Sequence, residues 1–184
     1  MADFNLAFKH TAQNEGAYAN SSKDKGGETY MGISRNNWPN WKGWALIDSI
    51  KKQFVSSAST INMHAGSSPM IQTLVSEFYK ANFWYPLTLQ LLNDQQLATN
   101  VYDFGVNAGV GTAAKRLQRA ANVNDDGKIG PATIRAVNSL PAKQVYDAFN
   151  AQRKAYYDNI IANNPSQAVW RKSWYSRIIP YKQA

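Results

Sequence analysis

A mainly α-helical fold with one small β element is what this 184-residue chain predicts. Three observations point there. Apolar residues recur every three or four positions through most of the sequence. Candidate caps stand in front of several of those stripes. The exception, residues 17–33, is a polar, glycine-containing run between two short β-prone pieces. The length suits one domain, or one domain with a small second lobe, and is enough to bury a core without disulfide or metal staples.

Asp3 is placed to cap a helix over residues 3–15, with Phe4, Phe8 and Ala12 as its stripe, Leu6 and Thr11 beside it, and Gly16 to end it. Residues 17–33 predict a hairpin or irregular β-lobe turning near Lys25-Gly26-Gly27. Helix resumes from Ser34, where Trp44, Ile47, Ile50 and Phe54 share a stripe. The small, polar stretch from Ser56 to Ser68 reads as a loop. Ser68-Pro69 opens the next helix with proline at the tolerated first position, and Ile71, Leu74, Val75 and Phe78 form its apolar face. Asp94 caps a helix carrying Leu97, Val101 and Phe104. Shorter helices at 111–121 and 131–139 precede a long one near 142–163 with Val145, Phe149, Tyr156 and Ile160. No repeat or low-complexity linker interrupts the chain. Asn93-Asp94 is its natural seam, dividing residues 1–93 from 94–184, two halves expected to pack as one globular unit.

Composition narrows the chemistry. Hydrophobic residues make up 44% of the chain and charged residues 17%, so it can fold rather than remain a disordered polymer. There is no cysteine, and the two histidines, His10 and His64, are dispersed and expected to be structural or exposed. Thiolate chemistry is excluded and a histidine metal site is not expected. Asn122 to Asp126 imitates the start of a calcium loop, but the twelfth position is Thr133 rather than a bidentate glutamate. Asp126-Gly127 is therefore read as a turn before the helix that Pro131 starts. No metal and no cofactor are expected, and catalysis falls to carboxylates.

The net charge of +8 favours polyanions: nucleic acid, anionic membranes or acidic wall polymers. An aromatic content of 12% suits stacking on bases and on sugar rings alike. No helix-turn-helix, zinc or aromatic RNA-binding signature is present, so nucleic acid is not the expected partner. No stretch reaches the ~18–20 apolar residues of a membrane helix, and stable insertion is not expected. The N-terminus lacks a basic then apolar leader, so the expectation is synthesis in the cytoplasm and release by another route if the target lies outside.

Glu15 follows Ala12 by three residues, which continues the apolar stripe to the last turn of the first helix. Partial burial and the negative helix end both disfavour a charged carboxylate there, so this glutamate is placed to donate a proton near neutral pH. The alternative is a glutamate at a frayed end, pointing to water. Asp24 comes nine residues later and Thr29 five after that. Two carboxylates on a helix end and a facing hairpin can flank a bond from both sides, one protonating the leaving oxygen and the other positioning water or stabilising developing positive charge, with Thr29 holding that water. Asp24 is equally readable as a turn residue beside glycines. Gly27 allows close approach of substrate, and Tyr18 and Tyr30 flank the acids as expected substrate contacts. Asp103 is readable as a third acid or as an orienting hydrogen-bond partner, and it shares with Asn107 a helix face that either binds substrate or pairs internally. Trp38, Trp41 and Trp44 recur every third residue and divide between core and groove. Trp170 and Trp174, with the lysine and arginine between them, form a C-terminal aromatic-basic patch or ordinary packing.

These motifs resemble a known family. Asn14-Glu15-Gly16-Ala17-Tyr18, Asp24-Lys25-Gly26-Gly27-Glu28-Thr29 and Met31-Gly32-Ile33-Ser34 are similar to the N-terminal signature of glycoside hydrolase family 108, lysozyme-type N-acetylmuramidases that include proteins called secretion activators and some phage endolysins. Ala17 replaces the family's usual second glycine. Phe78 to Trp84 resembles the family's aromatic stretch and Tyr102 to Gly109 its Asp-Phe-x-Val-Asn-x-Gly block. Leu117-Gln118-Arg119 with Asp126 to Thr133 resembles predicted peptidoglycan-binding domains. The resemblance implies a lysozyme-like helical fold, a catalytic region over 1–93, a wall-binding region over 94–184, and a monomer acting on peptidoglycan glycan strands. It implies cleavage between N-acetylmuramic acid and N-acetylglucosamine with Glu15 as the catalytic residue. The order of glutamate, aspartate and threonine also resembles phage-type lysozymes, which implies roles for Asp24 and Thr29 and an inverting outcome; the threonine spacing there is one residue longer. A wall-binding protein that kept the fold and lost the chemistry is the alternative.

Overall fold

A computed structural model of the chain describes residues 1–12, 17–20, 27–54 and 57–183. Glu15, Asp24 and the turn expected at Lys25-Gly26 lie outside them. Among the described residues the fold is mainly α with one three-stranded antiparallel sheet. It divides into two compact units: Phe8–Asn82, and Phe83–Ala184 joined by Met1–Ala7. The seam expected at Asn93-Asp94 lies inside the second of these.

The first helix, α1 (Phe4–Ala12), is capped as expected: Asp3 Oδ1 accepts from the Leu6 amide at 3.1 Å. Its buried positions are Phe4, Ala7 and Thr11, while Phe8 is half-buried and Leu6 exposed, so the stripe is rotated from the one read in sequence. Strand β1 (Ala19–Asn20) pairs with β2 (Glu28–Tyr30), which pairs with β3 (Ile33–Ser34). The third strand replaces the helix expected from Ser34. Met31 and Gly32 between Tyr30 and Ile33 both have positive φ, 45° and 77°, the condition of a two-residue primed turn. The Tyr79 hydroxyl donates to the Met31 carbonyl at 2.7 Å and pins that turn.

Helix α2 (Gly43–Gln53) buries Trp44 and Ile47, and Phe54 leaves it in extended conformation. The stretch expected as a loop contains a helix, α3 (Ala58–Gly66). Its cap is Ser57, whose hydroxyl accepts from the Thr60 amide at 3.1 Å, and its narrow apolar face is Ile61 and Ala65. The His64 ring stacks on Phe54 at 3.8 Å, a structural role. Ser68 caps α4 (Pro69–Tyr79) with Pro69 in the first turn, and Ile71, Val75 and Phe78 are buried. A π-helical turn, Lys80–Trp84, follows.

In the other unit, Asp94 caps α5 (Gln95–Ala108) through the Leu97 amide at 2.7 Å. Leu97, Val101 and Phe104 are buried there as the periodicity predicts. Helices α6 (Val110–Ala120), α7 (Pro131–Ser139) and α8 (Ala142–Asn163) follow. Phe104 meets Phe149 and Tyr157 of α8 edge-on, with centroids 5.8 Å apart in each pair. The N-terminal residues complete this core. Phe4 lies edge-on to Trp84 and Tyr102 at 5.6 and 5.8 Å, and Gln95 clasps the Asp3 backbone at both its amide and its carbonyl. The turn expected at Asp126-Gly127 closes around the buried Gln118 carboxamide. Its Nε2 donates to Asp126 and to the Lys128 carbonyl, and its Oε1 accepts from the Gly127 amide. The last element is α9 (Arg171–Ser176). Beyond it, the tail bonds to α8 through the Ile179 carbonyl and to α5 through Lys182 and Gln96.

Candidate functional site

Strand β2 organises the described part of the candidate site. Successive side chains of a strand point to opposite faces, so Glu28 and Tyr30 share one face and Thr29 takes the other. The Glu28 side chain is 9% exposed. Its Oε1 accepts from the Tyr18 hydroxyl at 2.8 Å and from Lys51 Nζ at 2.9 Å. Arg35 Nε lies 3.0 Å from Oε2, an ion pair without the alignment of a hydrogen bond. Arg35 and Lys51 both reach Asp48 as well, at 2.8 and 3.4 Å. Glu28 therefore ties the segment after α1 to β2, to β3 and to α2. With both oxygens engaged by Tyr18, Lys51 and Arg35, Glu28 serves as a structural anchor.

Tyr18 is buried, its amide donates to Asn62 and its hydroxyl to Glu28. Tyr30 is 2% exposed, its hydroxyl accepts from Gln72 Nε2 at 3.0 Å, and its ring is nearly parallel to Trp41. Both tyrosines, expected as substrate contacts, are placed in the scaffold under the sheet with their hydroxyls engaged by Glu28 and Gln72. Gly27 has φ of 63°, and a Cβ there would stand 2.8 Å from Asn36 Nδ2. The glycine is thus required by its own backbone and by a neighbouring side chain. Thr29 is half-buried on the opposite face, paired across the sheet with Ala19 and Ser34; its hydroxyl reaches the Gly27 carbonyl only at 3.4 Å.

Asp103 and Asn107 lie on α5, in the other unit. Asp103 is 3% exposed, and its two oxygens accept from Arg153 Nη2 and Arg177 Nη1, each at 2.9 Å. The structure thus places Asp103, expected as a substrate contact or an internal partner, in an internal pairing with two arginines. Asn107 is exposed and accepts from the Tyr157 hydroxyl at 2.9 Å.

The three tryptophans separate. Trp44 is 4% exposed in the core, and its Nε1 donates to the Trp38 carbonyl. Trp41 is half-buried against Gly43, where a Cβ would stand 2.2 Å from its ring. Trp38 is 41% exposed. In the C-terminal patch, Trp174 stacks on Tyr157 at 5.1 Å while Trp170 is exposed. Sequence reading passed over Glu28 as a site-building residue. The signal available was alternation, since Glu28 sits two residues from a tyrosine in a β-prone run.

Ionisation around Glu28 has a measurable consequence. Burial, then the bond to Glu28, raises the Tyr18 phenol above its ordinary value. Burial acts to lower Lys51, but its pairing with Glu28 and Asp48 prevails and holds the ammonium above the ordinary range. Both groups bind their proton more tightly when folded. Their contribution is complete below the unfolded values of about 10 and is lost as pH rises through the folded ones. The thermal midpoint should be insensitive to these groups from neutrality to about pH 10 and fall beyond it. Calorimetry across pH 7 to 11.5 checks this; a decline setting in by about pH 8.5 contradicts it.

No helix among the described residues is long and apolar enough to cross a membrane. The family model described as Glycosyl hydrolase 108 matches residues 8–109, and the one described as Predicted Peptidoglycan domain matches residues 112–179. The two matches meet at the start of α6. The structure reported as that of Brucella abortus SagA is similar to this chain at 24% identity and a TM-score of 0.65, covering 95% of this chain and 88% of that one. That likeness establishes the fold. No curated protein matches the chain.

Proposed function

The chain belongs to the glycosyl hydrolase 108 family, and from that premise we propose that it hydrolyses the β-1,4 bond between N-acetylmuramic acid and N-acetylglucosamine in peptidoglycan. The observation that carries the reading is the order of the two matches: a glycoside hydrolase region followed directly by a peptidoglycan domain in one chain. We assign the chemistry to the region before Asp94 and wall binding to the region after it, in a monomer that meets its substrate once released from the cytoplasm.

In this proposal Glu15 protonates the leaving oxygen. Asp24 and Thr29 position the attacking water or stabilise the positive charge that develops on the sugar ring. Thr29 supports the assignment by standing on the face of β2 turned away from the buried Glu28 and Tyr30. The net charge of +8 attracts the chain to anionic wall polymers.

Mass analysis of fragments released from purified peptidoglycan tests the reaction. Muramic acid at the new reducing ends is expected. Glucosamine ends, free stem peptides, or wall binding without any release would each overturn the muramidase assignment.

A further inference from the structure

We infer that Asn37, Trp38, Asn40 and Trp41 form a subsite for one N-acetylated sugar ring of the glycan strand. This rests on the glycan-cleaving reading but carries separate observations. The residues between β3 and α2 fold into turns and, with Phe78 of α4, line an open pocket of ≈ 280 Å³. Its walls are Asn37, Trp38, Pro39, Asn40, Trp41 and Phe78. The volume falls just below the ~300–1,000 Å³ typical of small-molecule clefts, which suits a single ring.

The wall is built rather than incidental. The Trp38 amide donates to the Ser34 carbonyl at 2.8 Å and its carbonyl accepts from Trp44 Nε1 at 2.8 Å, so the backbone is fixed on both sides of the ring. Phe78 meets the Trp38 ring edge-on at 4.9 Å and 87°. Trp41 is held by its Nε1 bond to the Leu74 carbonyl and by the edge of Trp44 at 5.1 Å. An indole 41% exposed at the mouth of a pocket is thereby held in place before any ligand arrives.

The chemistry of the lining selects the occupant. None of its side chains is charged, in a chain carrying +8. A phosphate or an acidic polymer would find no cation in this wall. Asn37, Trp38 and Asn40 are exposed, so the two carboxamides and the indole N–H offer donors and acceptors to a neutral polar ligand. The C–H face of a pyranose is apolar with slightly positive hydrogens and complements the negative face of an indole. An acetamido group needs one donor and one acceptor, which a carboxamide side chain supplies. A ligand with an apolar face and an amide at its edge satisfies all of these groups, and N-acetylglucosamine or N-acetylmuramic acid is such a ligand.

The test uses the full chain and a soluble tetramer of β-1,4-linked N-acetylglucosamine, followed by calorimetry and by NMR of the asparagine side-chain amides. The wild type should bind the tetramer and bind its deacetylated counterpart more weakly. Trp38→Ala should lose at least about tenfold in affinity, the cost of removing one packed aromatic anchor. On purified walls it should raise KM while kcat is largely kept. Asn40→Ala, an exposed change, should reduce the preference for the acetylated tetramer. If Trp38→Ala fails to fold, the wild-type amide resonances decide: movement of Asn37 and Asn40 on saturation supports the subsite. Stationary resonances, or a folded Trp38→Ala that binds and lyses as the wild type does, would sink it while the muramidase reading stands. Trp38-dependent binding in a chain that releases no muramic ends would uphold the subsite and remove the catalytic reading instead.

Discussion

Glu15→Gln should lower wall lysis by ~10² to 10⁴-fold, the usual cost of losing a well-placed general acid, and leave wall binding intact. Glutamine keeps the size and hydrogen-bonding capacity of the side chain and removes the proton. The substitution removes a charge and changes no other feature of the side chain. The thermal midpoint of the variant should therefore equal or slightly exceed that of the wild type. Turbidity clearing of purified walls measures the rate, a pull-down on the same walls measures binding, and calorimetry measures stability. His10→Ala, an exposed change outside the proposed machinery, serves as the control and should lyse normally. A Glu15→Gln protein that clears walls at close to the wild-type rate would place the acid elsewhere. Wild-type binding with the loss of lysis separates a missing proton from a damaged fold.

The readable parts of the fold are those whose signal is local. Asp94 and Ser68-Pro69 start their helices as the sequence predicts, because a cap and its helix lie within a few residues of each other. α3 was hidden because its apolar face is only Ile61 and Ala65, among serines that also suit a loop. β3 was hidden because it is two residues long and its turn carries Met31 where asparagine would usually announce a positive φ. The tryptophans at every third position misled for a related reason. Residues 35–42 are turns, so helical spacing does not decide which ring is buried; the Trp44 bond to the Trp38 carbonyl does. Tyr18 and Tyr30 stand beside the proposed acids in sequence, yet their hydroxyls are engaged by Glu28 and Gln72. Proximity in the chain did not tell which way a side chain faces.

The same blindness to distant partners explains Asp103, and gives the largest stability effect expected here. Its partners Arg153 and Arg177 are 50 and 74 residues away. No pattern local to α5 reports them. Arg153 has a fully buried side chain, is bonded to Asn100 through Nη1 and to Asp103 through Nη2, and lies with its guanidinium carbon 5.0 Å from the Phe104 ring centroid. Asp103→Ala leaves that cation in an apolar core without its counter-charge, a change that costs ~3–5 kcal/mol. At roughly 2–4 °C per kcal/mol for a chain of this size, the midpoint should drop on the order of 10 °C. Arg177, with 14% of its side chain exposed, can turn toward water, so Arg177→Ala should cost about 1 kcal/mol or less beyond its packing. Replacing both buried partners, Asp103→Leu with Arg153→Met, removes the uncompensated charge and should recover most of the loss. Under the proposed function, Asp103→Ala assayed well below its midpoint should keep its lysis, because the carboxylate is engaged by Arg153 and Arg177 and is assigned no step of the reaction. A midpoint left unchanged by Asp103→Ala would contradict the buried pairing. Loss of lysis from a fully folded variant would return Asp103 to the chemistry.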